Sequence, residues 1–247
     1  MPAVTARPFP SLETKQVRPT TPAPELVAGD HLTRAEFERR YHAMPDLKKA
    51  ELVEGRVFMG SPVRINQHGK PHAQLAGWLV QYQAFTPGVE IADNATVRLD
   101  HDNEPQPDLL LRILPEYGGQ SANEGDYVSG APEFVAEIAG SSASYDLYEK
   151  KTAYRRNGVR EYCVWLVDEA EIRWWRLLDG DYVMIEPDEA GLLKSETFPG
   201  LWLDPTALLT GDLARVLDLA RAGTASPEHA DFVASLRGQS PEETTPA

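Results

Sequence analysis

The sequence predicts a mixed α/β, or α+β, fold in which helices and strands interleave before a C-terminal β-meander. Three observations carry this expectation. Apolar residues at Leu75, Trp78, Leu79 and Tyr82 recur at the helical period. Two runs, Asp108-Leu109-Leu110-Leu111-Arg112-Ile113 and Glu133-Phe134-Val135-Ala136-Glu137-Ile138, have the length and composition of buried strands. After Gly158, short apolar segments at Glu161–Val167, Glu171–Leu177 and Asp181–Glu186 succeed one another, the last two across a turn at Asp179-Gly180.

Taken in order, residues 1–29 hold six prolines and little hydrophobic periodicity, which predicts a flexible arm. Thr33-Arg34-Ala35-Glu36 is a capping-box pattern and predicts a helix to about Met44. Glu51-Leu52-Val53 and Arg56-Val57-Phe58-Met59 flank Glu54-Gly55 as a hairpin. Pro71 suits the first turn of a helix through Tyr82. Strands are expected at Val89–Leu99 and Asp108–Ile113, an exposed loop over 115–131, and then the strand ending at Ile138. Ser141, Ser142 and Ser144 precede a helix from Tyr145 to Asn157, which Gly158 ends. The meander closes with a strand near Leu193–Phe198, and Asp204-Pro205 starts a helix that breaks at Gly211 and runs to Ala222. A single domain over 30–222 is expected, followed by a polar tail over 223–247 with a helical turn or two around Glu228–Leu236.

Composition narrows the function classes. No apolar stretch approaches the roughly 20 residues of a membrane helix, and the N-terminus lacks a secretory apolar segment, so a cytoplasmic protein with no membrane partner is expected. Cys163 is the one cysteine, which excludes an internal disulfide and a cysteine zinc knuckle; inside Tyr162-Cys163-Val164-Trp165 it reads as a buried structural thiol. The net charge of −14 opposes general affinity for phosphate backbones. Locally, Lys150, Lys151, Arg155, Arg156 and Arg160 outnumber Asp146 and Glu149, as a basic surface or as a solvated helix face.

The chemistry concentrates in Glu51, Asp108, Glu137 and Lys150, charged residues within or beside apolar runs where an unpaired charge is costly. If the strands bearing Asp108 and Glu137 pair antiparallel, the start of one meets the end of the other and both carboxylates share a sheet edge. Two carboxylates, a third nearby and a lysine suit phosphodiester hydrolysis with a divalent ion, Mg2+ or Mn2+, which asks for one or two carboxylates plus water. The backbone carbonyl of Ile138 could add an oxygen. Lys150 could orient the attacking water or stabilise developing charge. Asp146, Lys150 and Tyr154 stand at i, i+4 spacing on one helix face, so Asp146 could hold Lys150 charged.

The ordered set Ala50-Glu51-Leu52-Val53-Glu54-Gly55, His72, Pro107-Asp108, Val135-Ala136-Glu137-Ile138, Asp146-x-x-x-Lys150-x-x-x-Tyr154 and Gly158-Val159-Arg160-Glu161-Tyr162 resembles the Uma-type "putative restriction endonuclease" family. The resemblance covers roughly 31–210. It implies a restriction-endonuclease-like, PD-(D/E)XK fold, a mixed sheet flanked by helices with a metal site at its edge. It also implies a nucleic-acid partner, DNA above all. The family's metal carboxylates fall on Asp108 and Glu137, its early acid on Glu51, its lysine on Lys150 and its helix-opening histidine on His72. The chain departs from the pattern at Ala139, where the wider nuclease motif has lysine, at Gly140-Ser141-Ser142, where a proline is common, and at Cys163, where tryptophan is frequent.

Other readings stay open. Glu51 also suits a surface salt bridge, and His72 a simple helix-start residue. His68 and His72 stand four apart like a zinc pair, but Pro71 intervenes and no His-Glu-x-x-His pattern accompanies them. A carboxylate-pair glycosidase has no positive signal. The alternative to a nuclease is a non-catalytic binding or assembly protein with the same fold, which the charge of −14 favours. Cleavage of both strands would suit a homodimer.

Overall fold

The computed structural model describes residues 23–60, 62–140 and 143–238. The expected arm up to residue 22, Ser141 and Ser142 of the serine link, and the tail beyond 238 lie outside the described residues.

The chain begins with helix α1 (Arg34–Tyr41) and the hairpin β1 (Ala50–Val53) and β2 (Arg56–Met59), which bury Phe37, Leu52 and Val57 together. Thr33 precedes α1 without capping it by side chain, and Glu36 turns its carboxylate to Arg39 and Arg40, each at 2.7 Å, so neither half of the expected capping box forms. A π-helical turn, Ile65–Gly69, leads into α2 (Lys70–Gln83). Next come β3 (Val89–Asp93), β4 (Val97–Arg98) and β5 (Leu109–Ile113). The segment expected as one strand over 89–99 is therefore two. Asn94, with φ of 50°, breaks it, and β4 leaves for a different sheet.

The expected loop over 115–131 contains the hairpin β6 (Ala122–Glu124) and β7 (Tyr127–Ser129), with β4 pairing parallel to β7. Then follow β8 (Phe134–Ala139), a helical stretch, β9 (Glu161–Leu166), β10 (Glu171–Leu178) and β11 (Asp181–Met184). The helical stretch is made of α3 (Ala143–Tyr145), a π-helical turn Asp146–Lys150 and α4 (Lys151–Arg156). The two-residue strands β12 (Leu193–Lys194) and β13 (Trp202–Leu203) pair apart from the meander. Helices α5 (Pro205–Thr210), α6 (Leu213–Thr224) and α7 (Pro227–Arg237) finish the chain. Asp204, Asp212 and Ser226 cap them by side chain. In α7 the structure has a full helix where the sequence suggested a turn or two, and it buries His229 and Leu236.

The main sheet has the order β11-β10-β9-β8-β5-β3, with β8 and β9 parallel and the remaining pairs antiparallel. Its two faces follow the alternation of each strand. Leu109, Leu111, Phe134, Ala136, Cys163 and Trp174 point to the α2 side, where Trp78, Tyr82, Val216 and Leu236 pack. Leu110, Val135, Tyr162 and Val164 point to the α4 side, against Tyr154 and Val159. Each fully buried large side chain contributes about 1.5–3 kcal/mol. The polar tips of the buried aromatics find partners, as Trp78 donates to the Trp202 carbonyl at 2.9 Å and Tyr82 to that of Pro199 at 3.0 Å. Glu161 is buried as a carboxylate that accepts from Trp174 Nε1, Ser195 Oγ and the amides of Glu196 and Thr197, tying β9 to the loop before β13.

Candidate active site

Strands β5 and β8 pair antiparallel with Leu109 opposite Ala136, so one further step of register sets Asp108 opposite Glu137. Both carboxylates then leave the sheet on the face that carries Leu110 and Val135, the face covered by α4. The Ile138 amide donates to Asp108 Oδ2 at 2.7 Å, and the Asp108 amide approaches Glu137 Oε2 at 3.3 Å. Another step puts Pro107 opposite Ile138. Proline has no N–H to offer, so the ladder ends there and cannot supply the Ile138 carbonyl with a donor.

Lys150 is the last residue of its π-helical turn, and this turn aims it inward. Its Nζ lies 2.9 Å from Glu137 Oε1, 3.0 Å from Glu51 Oε1 and 3.9 Å from Asp146 Oδ1. Lys151, one residue on, instead sets its ammonium 3.8 Å from the Trp175 ring centroid. Tyr154 donates to Glu137 Oε1 at 2.9 Å, and Tyr162 donates to the Asp146 carbonyl. Glu51 comes from β1 and accepts the Gln106 amide at 2.7 Å, which ties the hairpin to the segment leading into Asp108. The surface salt-bridge reading of Glu51 is thereby replaced, because its carboxylate is buried against Lys150.

Four acidic side chains, Glu51, Asp108, Glu137 and Asp146, are buried here; the Lys150 ammonium lies within 4 Å of three of them, while Asp108 faces His68 and Lys49. Burial pushes the Glu137 carboxyl up to about 8, helped by Asp108, Asp146 and Glu51 and opposed by Lys150. Burial alone would also raise Asp108, but His68, Lys150 and the Ile138 amide hold it below the usual carboxylate range. Burial works against the Lys150 ammonium, yet Glu137, Glu51 and Asp146 keep it charged far above neutral pH.

His72 is brought to the sheet end from α2. Its Nε2 lies 3.0 Å from the Asp108 carbonyl and 3.0 Å from Asp93 Oδ1, so it braces the backbone of Asp108 rather than its carboxylate. The residue that reaches that carboxylate is His68, with Nε2 3.0 Å from Asp108 Oδ1. The spacing of the two histidines was the available signal, and the structure stacks their rings at 5.5 Å between centroids. Pro71 does not separate them, because the helical path already begins in the π-helical turn at Ile65 and the proline falls at the start of α2. Two further neighbours carry no sequence signal. Lys49 Nζ stands 3.9 Å from Asp108 Oδ1, and Tyr145 lies under Lys150 while stacking on Phe58.

The donor set suits a hard divalent cation in kind: two facing carboxyl groups and an adjoining backbone carbonyl. Among the described residues, no three His, Cys, Asp or Glu side chains stand as a ready-made cage. The oxygens are turned to Lys150, Tyr154, His68 and the Ile138 amide, and an ion would take over one or two of these contacts.

Among protein families, the Uma2 model, described as "Putative restriction endonuclease", matches residues 34–206, a span that includes every residue of this cluster. Among solved structures, a chain described as "a putative nuclease belonging to DUF820" from Anabaena variabilis aligns at 12% identity. The alignment covers 73% of this chain and 97% of that one, with a TM-score of 0.49. No curated protein matches the chain.

Proposed function

The chain belongs to the Uma2 family, and from that premise we propose that it is a metal-dependent endonuclease that hydrolyses phosphodiester bonds in DNA. The observation that carries the proposal is the meeting of two buried acids, Asp108 and Glu137, at one end of the main sheet, with Lys150 against Glu137 and with Glu51 and Asp146 beside the same ammonium. Asp108 and Glu137 would hold the ion, magnesium or manganese, with the Ile138 carbonyl beside them. When bound, such an ion acidifies a water and offsets charge on the phosphate.

The protein's own groups supply the remainder. Lys150, kept cationic by Glu137, Glu51 and Asp146, would donate to the attacking water or to the phosphate oxygen on which charge develops. Tyr154 and Lys150 together fix the orientation of Glu137. The Ile138 amide and His72 fix Asp108, one by its carboxylate and the other by its carbonyl. Glu51 is a second buried partner that holds the Lys150 ammonium in place. Catalysis of this kind rests on positioning and charge. Cleavage of both strands would engage two copies of the chain, a matter for sedimentation with and without duplex DNA.

A second reading, a non-catalytic binding or assembly protein, draws on the net charge of −14. Incubation of circular and linear DNA and of RNA with Mg2+ or Mn2+ separates the two. Metal-dependent cleavage of DNA, abolished in folded Asp108→Ala and Glu137→Ala, is expected. Absence of cleavage across that panel would favour the second reading.

A further inference from the structure

We infer that His68 is a direct ligand of the ion at this site, so that the cluster is a mixed nitrogen–oxygen centre that favours manganese over magnesium. The inference rests on the metal-dependent reading above and goes beyond it by naming a ligand and a metal preference.

The geometry comes first. His68 Nε2 lies 3.0 Å from Asp108 Oδ1. Two donors in adjacent positions of an octahedral ion with bonds of about 2.1 Å stand about 3.0 Å apart, so these atoms already have the separation of neighbouring ligands. Asp108 Oδ2 is committed to the Ile138 amide at 2.7 Å, which leaves Oδ1, the atom facing His68, as the oxygen to share. A hydrogen-bonding histidine needs only to donate to that oxygen. A ligating one must also be held in place and remain reachable from solvent, and His68 meets both conditions. Its ring is stacked on His72 at an interplanar angle of 13°, and its side chain is 26% exposed beside the nearly sealed Asp108.

The chain delivers His68 by a π-helical turn, Ile65–Gly69, just as it delivers Lys150 by another, Asp146–Lys150. Such turns insert a residue into the helical path and re-aim the side chains after it, and they recur at functional sites. On ligation the ring would present the Nε2 lone pair, with hydrogen on Nδ1. Imidazole suits transition ions better than Mg2+, which keeps to oxygen. Hence the expected preference for manganese.

The test uses electron spin-echo spectroscopy of Mn2+ bound to the full-length protein, in which a directly bound imidazole nitrogen imprints a nuclear modulation on the echo. Wild type is expected to show that nitrogen modulation. His68→Gln, checked for folding by circular dichroism, should lose it and bind Mn2+ about tenfold more weakly, with smaller change for Mg2+. His72→Gln should keep it. Wild-type protein labelled with 15N-histidine should show a changed modulation frequency, which identifies the bound nitrogen as a histidine's, and the two variants assign it to His68. Manganese bound by wild type with no nitrogen modulation overturns the inference while leaving Asp108 and Glu137 as the ion's ligands. No manganese binding by wild type overturns the inference and the metal-dependent reading together.

Discussion

Lys150 Nζ and Glu137 Oε1 meet at 2.9 Å in the interior, and they come from different elements, the π-helical turn before α4 and the middle of β8. The pair closes the gap between the main sheet and the helix that covers it. Removing the cation from such a pair leaves the acids buried without compensation.

Lys150→Met is therefore expected to destabilise the fold by about 3–5 kcal/mol near pH 8, in the range found when one partner of a buried ion pair is deleted. The cost should shrink toward pH 5, where the Glu137 carboxyl holds its proton. Urea unfolding of the variant at both pH values checks this. Equal loss at both would show that packing, and not charge, accounts for the effect.

Glu137→Gln should act in the opposite sense on stability. The native carboxyl titrates near 8, above its ordinary 4.5, so the folded state holds a proton that the unfolded state releases. Folding stability from this group is complete below pH 4.5, falls as pH rises toward 8 and stays low beyond it. A glutamine can keep the Tyr154 contact and has no charge to bury, so the variant should unfold later than wild type at pH 9. It should also fail to bind Mn2+, as followed by calorimetry. A variant less stable at pH 9 would contradict the electrostatic description of the site.

How much of this was legible in the sequence depended on the range of the signal. The antiparallel meeting of Asp108 and Glu137 could be foreseen, because two buried strands with a carboxylate at complementary ends have few ways to pair. Lys150 could be preferred to Lys151 from its spacing to Asp146 and Tyr154. His68 was not placed, because a π-helical turn shifts the periodicity that sequence patterns assume. The hairpin of β6 and β7 was hidden because β6 is wholly exposed and so lacks an apolar alternation. Helix α7 was underestimated because its buried contacts come from only a few residues, among them Leu236, Phe232 and a histidine, His229, which pairs with Thr86 at 2.9 Å.

A second buried acid, distant in role from the site, gives an independent pH test. Burial pushes Glu104 up to about 8, reinforced by its hydrogen bond to Glu38 and by that neighbour's charge, while Arg98 and Arg34 oppose. By the same reasoning, stability supplied by this group declines between pH 4.5 and 8. Glu104→Gln retains a donor toward Glu38 and should flatten that part of the pH–stability curve measured by urea unfolding. Nuclease activity should be unchanged.

Two glycines provide a test of the packing. Gly77 lies inside α2 on an exposed face with nothing within 4 Å of an added Cβ, so Gly77→Ala should stabilise by about 0.5–1 kcal/mol. At Gly119 an added Cβ would lie 1.8 Å from the Ile113 carbonyl oxygen, and Gly119→Ala should destabilise by about 1–3 kcal/mol. Thermal unfolding of the two variants side by side reads both signs.

The most direct measurement is an anomalous difference map from crystals of the protein soaked in manganese. A single strong peak bounded by the carboxylates of Asp108 and Glu137, and lost in Glu137→Ala crystals, is the expected result. A map without a peak there, in crystals that take up manganese elsewhere, would contradict the proposal that these two acids hold a catalytic ion.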